Sequence, residues 1–161
     1  MKRTNIMSNS IKDNINKLSI KIPKISQPLA SYLPYKKIGQ LLYISGQLPL
    51  KNNKIIYPGK VDKDISIEKA ILSAQQCIIN VLSQINYVLD GELNNVKQFI
   101  QLSGYIASDL SFTNHHLVMN GASDLVVKIF GESGKHTRIA VGCTSLPLNA
   151  PVEVSAIIEI N

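Results

Sequence analysis

A stripe of apolar residues between positions 67 and 88 constrains the fold of this 161-residue chain more than any other feature. Ser66 precedes the stripe as a candidate N-cap, and Asp90 and Gly91 follow it as terminators. The pattern predicts a long amphipathic helix, and Cys77 within it is predicted to be a core residue rather than a reactive thiol. The stripe recurs at steps of three and four residues, the spacing of one helix face: Ile67, Ile71, Ala74, Ile78, Val81, Ile85 and Val88.

Runs rich in β-formers surround this helix. They cover residues 41–50, 96–108, 137–146 and 151–160, with a short extended piece near Ile55, and a second helix is predicted from about 113 to 130. The order β-β-α-β-α-β-β indicates an α+β fold, a mixed sheet with two helices on one face. The other sheet face is then left to solvent or to another subunit.

Positive charge concentrates at the N-terminus. The formal net charge is +6, and much of the excess lies in the first 24 residues, so the remaining chain is close to neutral. We predict a flexible basic N-terminal extension over residues 1–25 and a single domain over 26–161. Such an extension could touch nucleic acid or a membrane surface, but no aromatic residue is interleaved with its lysines, which favours a solvated tail.

The two cysteines of the chain give no indication of a metal site. Cys77 and Cys143 are the two cysteines, and no CxxC or Cys/His ligand spacing occurs, so neither a metal site nor a cofactor is expected. Free thiols suit a reducing compartment, and no apolar run approaches the ~18 residues of a membrane span. Cytoplasmic localisation is the expectation, with organelle targeting by the extension left open.

The segment GESGKHTRIAVG at 131–142 resembles a phosphate-binding loop only in its first half. Lys135 is followed by His136 rather than Ser or Thr, and the loop lies between a helix and a strand in the wrong order. In the strand that follows, the period of two predicts a core side holding Ile139, Val141 and Cys143. Arg138 then faces the other way with small neighbours, an arrangement suited to a carboxylate; an exposed, unpaired edge arginine is the alternative.

The last strand places Glu153 and Ser155 opposite its core side. If this strand pairs with the preceding one, both residues share a surface with Arg138. Ser155 has no base evident in the sequence, so a serine nucleophile is not expected. The histidines, at 115, 116 and 136, are interpreted as residues of helix ends, with His136 also a candidate lining residue beside Arg138; they assemble no catalytic triad.

Taken together, these residues resemble a known family. The pattern R-x-A-V-x-x-x-x-L-P-L-x-x-x-V-E-V at 138–154, with Tyr32 and the S-G-Q-L-P of 45–49, is similar to the RidA/YjgF family over residues 30–160. N-G-A-S-D-L followed by F-G-E-x-G-K-H-x-R resembles a longer-chain branch. The resemblance implies a chorismate-mutase-like fold and a homotrimer whose sheets form a central barrel with clefts between subunits. It also implies hydrolysis of enamine/imine intermediates such as 2-aminoacrylate to 2-keto acids and ammonia, a deaminase of the 2-iminobutanoate/2-iminopropanoate type.

The resemblance also implies roles for individual residues. Arg138 matches the arginine that holds the substrate carboxylate. Tyr32 matches a tyrosine of the cleft wall, and Ser45 with Gly46 match a Ser-Gly pair at its floor. Small 2-imino and 2-keto acids are therefore the expected ligands.

Other positions match less closely. Asn120 corresponds to a cleft asparagine, with one extra residue before Arg138. Ala140 stands where a cysteine is common, although the backbone N–H is the useful group there. The glutamate that helps to hold the attacking water falls at Ser155, a poor base, and Glu153 on the same strand face is the candidate substitute.

Three other functions stay open at this stage. A non-catalytic metabolite-binding or regulatory trimer is suggested by Ser155. Ribonuclease or translation-inhibitor activity, described for some family members, finds little support in a near-neutral body without an aromatic-basic stripe. The sequence does not exclude a chaperone-like role.

Overall fold

This computed structural model describes residues 10–25 and 31–161. Five strands form one sheet in the order β1-β2-β7-β5-β6, while β3 and β4 form a separate hairpin. The α+β architecture predicted from the sequence is confirmed. The elements are α1 Ile11–Lys17, β1 Tyr35–Ile38, β2 Leu41–Gln47, β3 Leu50–Lys51, β4 Lys54–Ile55, α2 Ile67–Val88, β5 Val96–Ala107, α3 His115–Phe130, β6 Thr137–Cys143 and β7 Val152–Ile160.

The helices α2 and α3 pack together and cover one face of the sheet. The hydroxyl of Ser66 accepts from the backbone N–H of Lys69, so the predicted cap of α2 is confirmed. The middle of its apolar stripe, from Ala74 to Ile85, is buried, and the stripe residues at the two ends are half-buried. Gly104 in β5 makes a close approach to α3, because a Cβ there would collide with the Met119 side chain. The Met119 side chain therefore packs directly on the backbone of β5, the strand beside β6.

The two last strands of the chain are not neighbours. β7 lies in the middle of the sheet, antiparallel to both β2 and β5, whereas β6 is an edge strand parallel to β5. The conditional prediction that Glu153 and Arg138 share a surface required direct pairing of β6 with β7. β5 separates them, and that prediction is wrong.

The faces of β6 are also reversed relative to the sequence prediction. Arg138 pairs with Leu102 and Ala140 pairs with Gly104, and both partners lie on the buried, helix-covered face of β5. Ile139 and its apolar neighbours on alternate positions therefore face the open side of the sheet. An edge strand is accessible on both faces, so its alternation of apolar residues does not reveal which side is the chain's own core.

The open face of the sheet carries large apolar side chains. Tyr43, Tyr105, Ile139 and Val141 lie on it and are each 41–47% exposed. Tyr105, Ile139 and Val141 are neighbours at the β5–β6 edge, whereas polar residues of β5 and β7 lie between them and Tyr43. Exposed apolar side chains grouped in this way are typical of a surface that another protein covers.

A short helix occupies part of the predicted N-terminal extension. α1 begins with a capping box between Ser10 and Asp13, buries Ile15, and is held to α3 by the Asn14 side chain, whose Nδ2 donates to the Ile129 carbonyl at 2.8 Å. The prediction of a tail without regular structure is therefore wrong for residues 11–17. A helix of seven residues offers too few turns for a recognisable stripe. No helix among residues 10–25 and 31–161 is long and apolar enough to cross a membrane.

Candidate active site

Arg138 projects from the edge strand β6 towards α3. Its Nη1 donates to Asn120 Oδ1 at 3.0 Å and to Ser123 Oγ at 3.2 Å. Within the described part of the chain, its Nε and Nη2 make no hydrogen bond and the guanidinium has no acidic partner. One edge of the guanidinium is thus held by the protein, while the Nε–Nη2 edge, the side that binds carboxylates with two parallel bonds, is available.

Asn120 and Ser123 reach Arg138 together because residues three apart lie on the same face of a helix. Asn120, identified through its resemblance to a cleft asparagine, does lie beside Arg138. Ser123 was missed. Once Arg138 is placed against α3, the i, i+3 spacing from Asn120 is the signal that would have identified it.

Ser123 also contacts His136. The Ser123 Oγ lies 3.0 Å from His136 Nε2, and His136 Nδ1 lies 2.6 Å from the Gly134 carbonyl oxygen. The prediction that His136 lies near Arg138 therefore has a structural basis, since the hydroxyl of Ser123 joins the two side chains. The loop from Gly131 to Gly134, a short 3-10 turn, places the histidine.

The small residues that follow Arg138 do not leave an open space beside it. Ala140 packs against the core, and a Cβ on Gly142 would contact Nε2 of His115. Burial, and secondarily the neighbouring His116, lowers the pKa of His115. This ring is therefore a packing element on the helix-covered face and fills the place in which the sequence suggested a cavity.

A second group of predicted site residues lies on β2. Its pairing with β7 is irregular between Ile44 and Gln47, so a bulge spans Ser45 and Gly46. The hydroxyl of Ser45 donates to the Leu33 carbonyl at 2.6 Å, which ties this bulge to the segment carrying Tyr32. Tyr32 is exposed and lines, together with Gly46, a cavity of about 460 Å³.

Glu153 lies directly over Gly46. A Cβ at position 46 would collide with the Glu153 carboxyl group, so only glycine leaves room for it. Burial raises the pKa of Glu153, and the carboxyl accepts no hydrogen bond from another described residue. Ser155 occupies the same strand face two positions on, where it pairs with Ser103. The carboxylate at the Ser-Gly floor is therefore that of Glu153, and the Ser155 hydroxyl lies farther along the strand.

Neither cysteine offers a nucleophile. Burial is the main cause that raises the pKa of both Cys77 and Cys143, and the charge of Glu153 raises both further. Both thiols are free and remain protonated at neutral pH. In the part of the chain that the structure describes, no group of three or more potential ligands could hold a metal ion.

The two groups lie on opposite faces of the sheet. Arg138 and Asn120 lie on the helix-covered side at the β6 edge, whereas Glu153 and Gly46 lie on the open side, with β5 between their strands. One chain alone does not bring the guanidinium and the carboxyl group to one substrate.

Comparison with known proteins adds independent information. Residues 14–160 match the family described as "YjgF/chorismate mutase-like, putative endoribonuclease". Protein TCP17 of Trypanosoma cruzi is 36% identical over 157 residues, which cover 97% of this chain and 98% of that protein. The crystal structure of Atu1372 from Agrobacterium tumefaciens, a protein of unknown function, is 41% identical with a TM-score of 0.88, covering 94% of this chain and 92% of that one. A "putative endoribonuclease" from Shewanella oneidensis is 29% identical with a TM-score of 0.90, covering 94% and 100%.

Proposed function

Because the chain belongs to the RidA/YjgF family, we propose that it hydrolyses reactive enamine and imine intermediates, such as 2-aminoacrylate, to 2-keto acids and ammonia. The reaction takes place at clefts between the subunits of a homotrimer, and Arg138 holds the substrate carboxylate.

The observation that carries the proposal is the state of Arg138. Its Nη1 is occupied by Asn120 and Ser123, and its Nε–Nη2 edge is free of protein partners among the described residues. A planar guanidinium presenting two parallel N–H groups is complementary to a carboxylate. A 2-imino acid bound in this way is fixed at one end, with its C=N carbon at a defined distance from the arginine.

The chemistry requires one water and a proton relay. The oxygen of water bonds to the C=N carbon, one of its protons is transferred to the nitrogen, and a carbinolamine results. The hydroxyl proton of the carbinolamine is then transferred to the nitrogen, the C–N bond breaks as the C=O bond forms, and ammonia is released. An imine is already electrophilic, so orientation of the substrate and water supplies much of the acceleration.

Glu153 is the group suited to that relay. Burial raises its pKa, and a carboxyl group titrating closer to neutral pH accepts a proton from water and returns it to the departing nitrogen more effectively. Its place over Gly46 puts it at the floor that the family resemblance assigns to the cleft. Glu153 therefore takes the water-activating role, and the loss of a glutamate at position 155 does not remove the carboxylate from the site.

The opposite placement of Arg138 and Glu153 supports a cleft between subunits. A cleft that joins the edge of one chain to the open sheet face of the next brings the two groups together. The apolar open face with Tyr43, Tyr105, Ile139 and Val141 is the surface that such packing would bury.

Replacement of Arg138 by alanine tests the binding step. We expect Arg138→Ala to weaken pyruvate binding, measured by titration calorimetry, by about 100-fold or more, since a charge-assisted bidentate contact is lost. Arg138→Lys keeps the positive charge but not the two parallel N–H donors, so its pyruvate affinity should lie between those of the wild type and Arg138→Ala. Lys135→Ala, which removes a nearby exposed charge paired with Glu132, is the matched control. Unchanged affinity in Arg138→Ala would refute the proposal.

A coupled assay tests the catalytic step. A PLP-dependent enzyme generates 2-aminoacrylate, and the rate of pyruvate release is measured with and without micromolar wild-type protein. Acceleration supports the deaminase. Arg138-dependent pyruvate binding without any acceleration would instead identify a non-catalytic metabolite-binding protein, the alternative suggested by Ser155 at the position of the family glutamate.

A further inference from the structure

We propose that Ser123 and His136 are positioning residues for Arg138, which hold Nη1 so that the Nε–Nη2 edge is presented to the substrate carboxylate. The inference rests on the proposed role of Arg138 as the carboxylate ligand. It assigns a function to a serine and a histidine that neither contact the substrate nor take part in the reaction.

The positions of the hydrogens in this network follow from the atoms that can only accept and those that can only donate. The Gly134 carbonyl can only accept, so at 2.6 Å the Nδ1 of His136 must carry a hydrogen. A guanidinium can only donate, so the Ser123 oxygen accepts from Arg138 at 3.2 Å. In the tautomer with its hydrogen on Nδ1 alone, Nε2 of His136 is an acceptor, and we assign the Ser123 hydroxyl as its donor at 3.0 Å. The chain of bonds then runs from Arg138 to the Gly134 carbonyl.

His136 determines the direction in which the Ser123 hydroxyl points. A serine within a helix ordinarily donates to the carbonyl four residues earlier, here that of Met119, which turns the oxygen towards its own helix. Donation to His136 instead directs the oxygen lone pair at Arg138. The 3-10 turn and the Gly134 carbonyl hold the histidine ring, so the hydroxyl orientation is set by the loop that precedes β6.

Fixing the guanidinium in advance has an energetic consequence. An exposed arginine on an edge strand has substantial side-chain conformational entropy. Part of that entropy must be lost when a ligand binds, unless the side chain is already ordered. Two bonds from α3 to Nη1 order Arg138 before the substrate arrives, which strengthens binding without any new contact to the ligand.

Two pairs of variants separate positioning from folding. Asparagine at position 136 can place a donor near the Nδ1 site but does not reach Ser123, whereas glutamine can place an acceptor near the Nε2 site. Ser123→Ala removes the hydroxyl from a half-buried helix position that alanine tolerates well, and Ser123→Thr retains the hydroxyl.

We expect His136→Asn and Ser123→Ala each to weaken pyruvate binding about 3- to 10-fold, the effect of one net hydrogen bond. His136→Gln and Ser123→Thr should stay closer to the wild type. In the coupled assay the change should appear in KM, with kcat little altered. The double variant Ser123→Ala/His136→Asn should bind no more weakly than the worse single variant, because both substitutions break the same chain of bonds.

The outcomes distinguish this inference from the proposed function. If Arg138→Ala abolishes binding but Ser123→Ala and His136→Asn bind as the wild type does, the positioning role is refuted and the carboxylate role stands. If Arg138→Ala itself binds normally, both fail. A purely structural defect would lower the number of binding sites per chain in the calorimetric titration while leaving Kd unchanged, and that result would also refute positioning.

Discussion

The region around Arg138 and the region around Glu153 differ in the exposure of the charged side chain and in the hydrogen bonds that hold it. Arg138 is exposed, and two side chains of its own subunit hold one edge of its guanidinium. Glu153 is half-buried over Gly46, its pKa is raised by burial, and it accepts no hydrogen bond from the described residues. The Arg138 side chain is therefore ordered by contacts within one chain, whereas the Glu153 carboxyl group has no such contacts among the described residues; in the proposed reaction, a neighbouring subunit and the substrate would supply them.

Glu153→Gln should produce the largest effect and separate the two regions. Loss of general acid–base catalysis lowers kcat by about 10²- to 10⁴-fold. Pyruvate affinity, which depends on Arg138, should change little. Coupled-assay kinetics and calorimetry on the same preparation measure both quantities.

Glu159→Gln is the matched control for this prediction, since Glu159 lies on the same face of β7. Its carboxylate is already bonded to Lys97 at 2.7 Å and Gln98 at 2.6 Å, away from Gly46. Its substitution should leave kcat near the wild-type value. If the kcat of Glu153→Gln is no lower than that of this control, the proposed role of Glu153 in proton transfer is refuted.

Mixing two inactive variants tests whether the regions meet across a subunit boundary. Arg138→Ala and Glu153→Gln are each expected to be nearly inactive alone. In randomly mixed trimers about a quarter of the clefts combine an intact Arg138 with an intact Glu153, so co-expressed or co-refolded variants should regain roughly that share of wild-type activity. Refolding each variant separately and then combining them without exchange is the control. No recovery after confirmed subunit exchange would refute a site that combines Arg138 of one subunit with Glu153 of another.

The sequence predicted most securely the elements that bury a regular stripe. α2 was placed with its cap because its apolar face repeats over six turns, and β7 alternates cleanly because it lies in the middle of the sheet with one face in the core. α1 escaped detection since seven residues bury only Ile15. The faces of β6 were reversed because Ile139 and Val141 are apolar and yet lie exposed on the open face of an edge strand.

The site was predictable in its residue types but not in its geometry. Arg138 and Asn120 were identified and do lie together. Ser123 was not, because its role depends on how α3 is set against β6, a tertiary relationship that no local pattern encodes. The separation of Arg138 from Glu153 likewise follows from strand order, which places β5 between two strands that are consecutive in the chain.

The smallest expected effect concerns stability and has opposite signs for two glutamates of β7. Burial raises the pKa of Glu153 in the folded chain, so the folded state is favoured while this carboxyl group is protonated. The contribution to the free energy of unfolding is fully present below the pKa of an unfolded glutamate, about 4.3, and is lost as pH rises through the pKa of the folded state. Glutamine cannot ionise, so Glu153→Gln should melt at a higher temperature than the wild type at pH 7, with the difference vanishing near pH 3.5.

For Glu159 the sign is reversed. Its hydrogen bonds to Lys97 and Gln98 lower the pKa of Glu159 in the folded chain. The ionised carboxylate therefore stabilises the fold at pH values above the unfolded pKa, and this stabilisation is lost as pH falls through the lower, folded pKa. Glu159→Gln should therefore melt below the wild type at pH 7. Thermal unfolding from pH 3.5 to 8, at one fixed protein concentration because assembly shifts Tm, measures both. Shifts of the same sign for the two variants at pH 7 would mean that the Glu153 carboxyl is not held in a desolvated place, and its suitability for proton transfer near neutral pH would lose its physical basis.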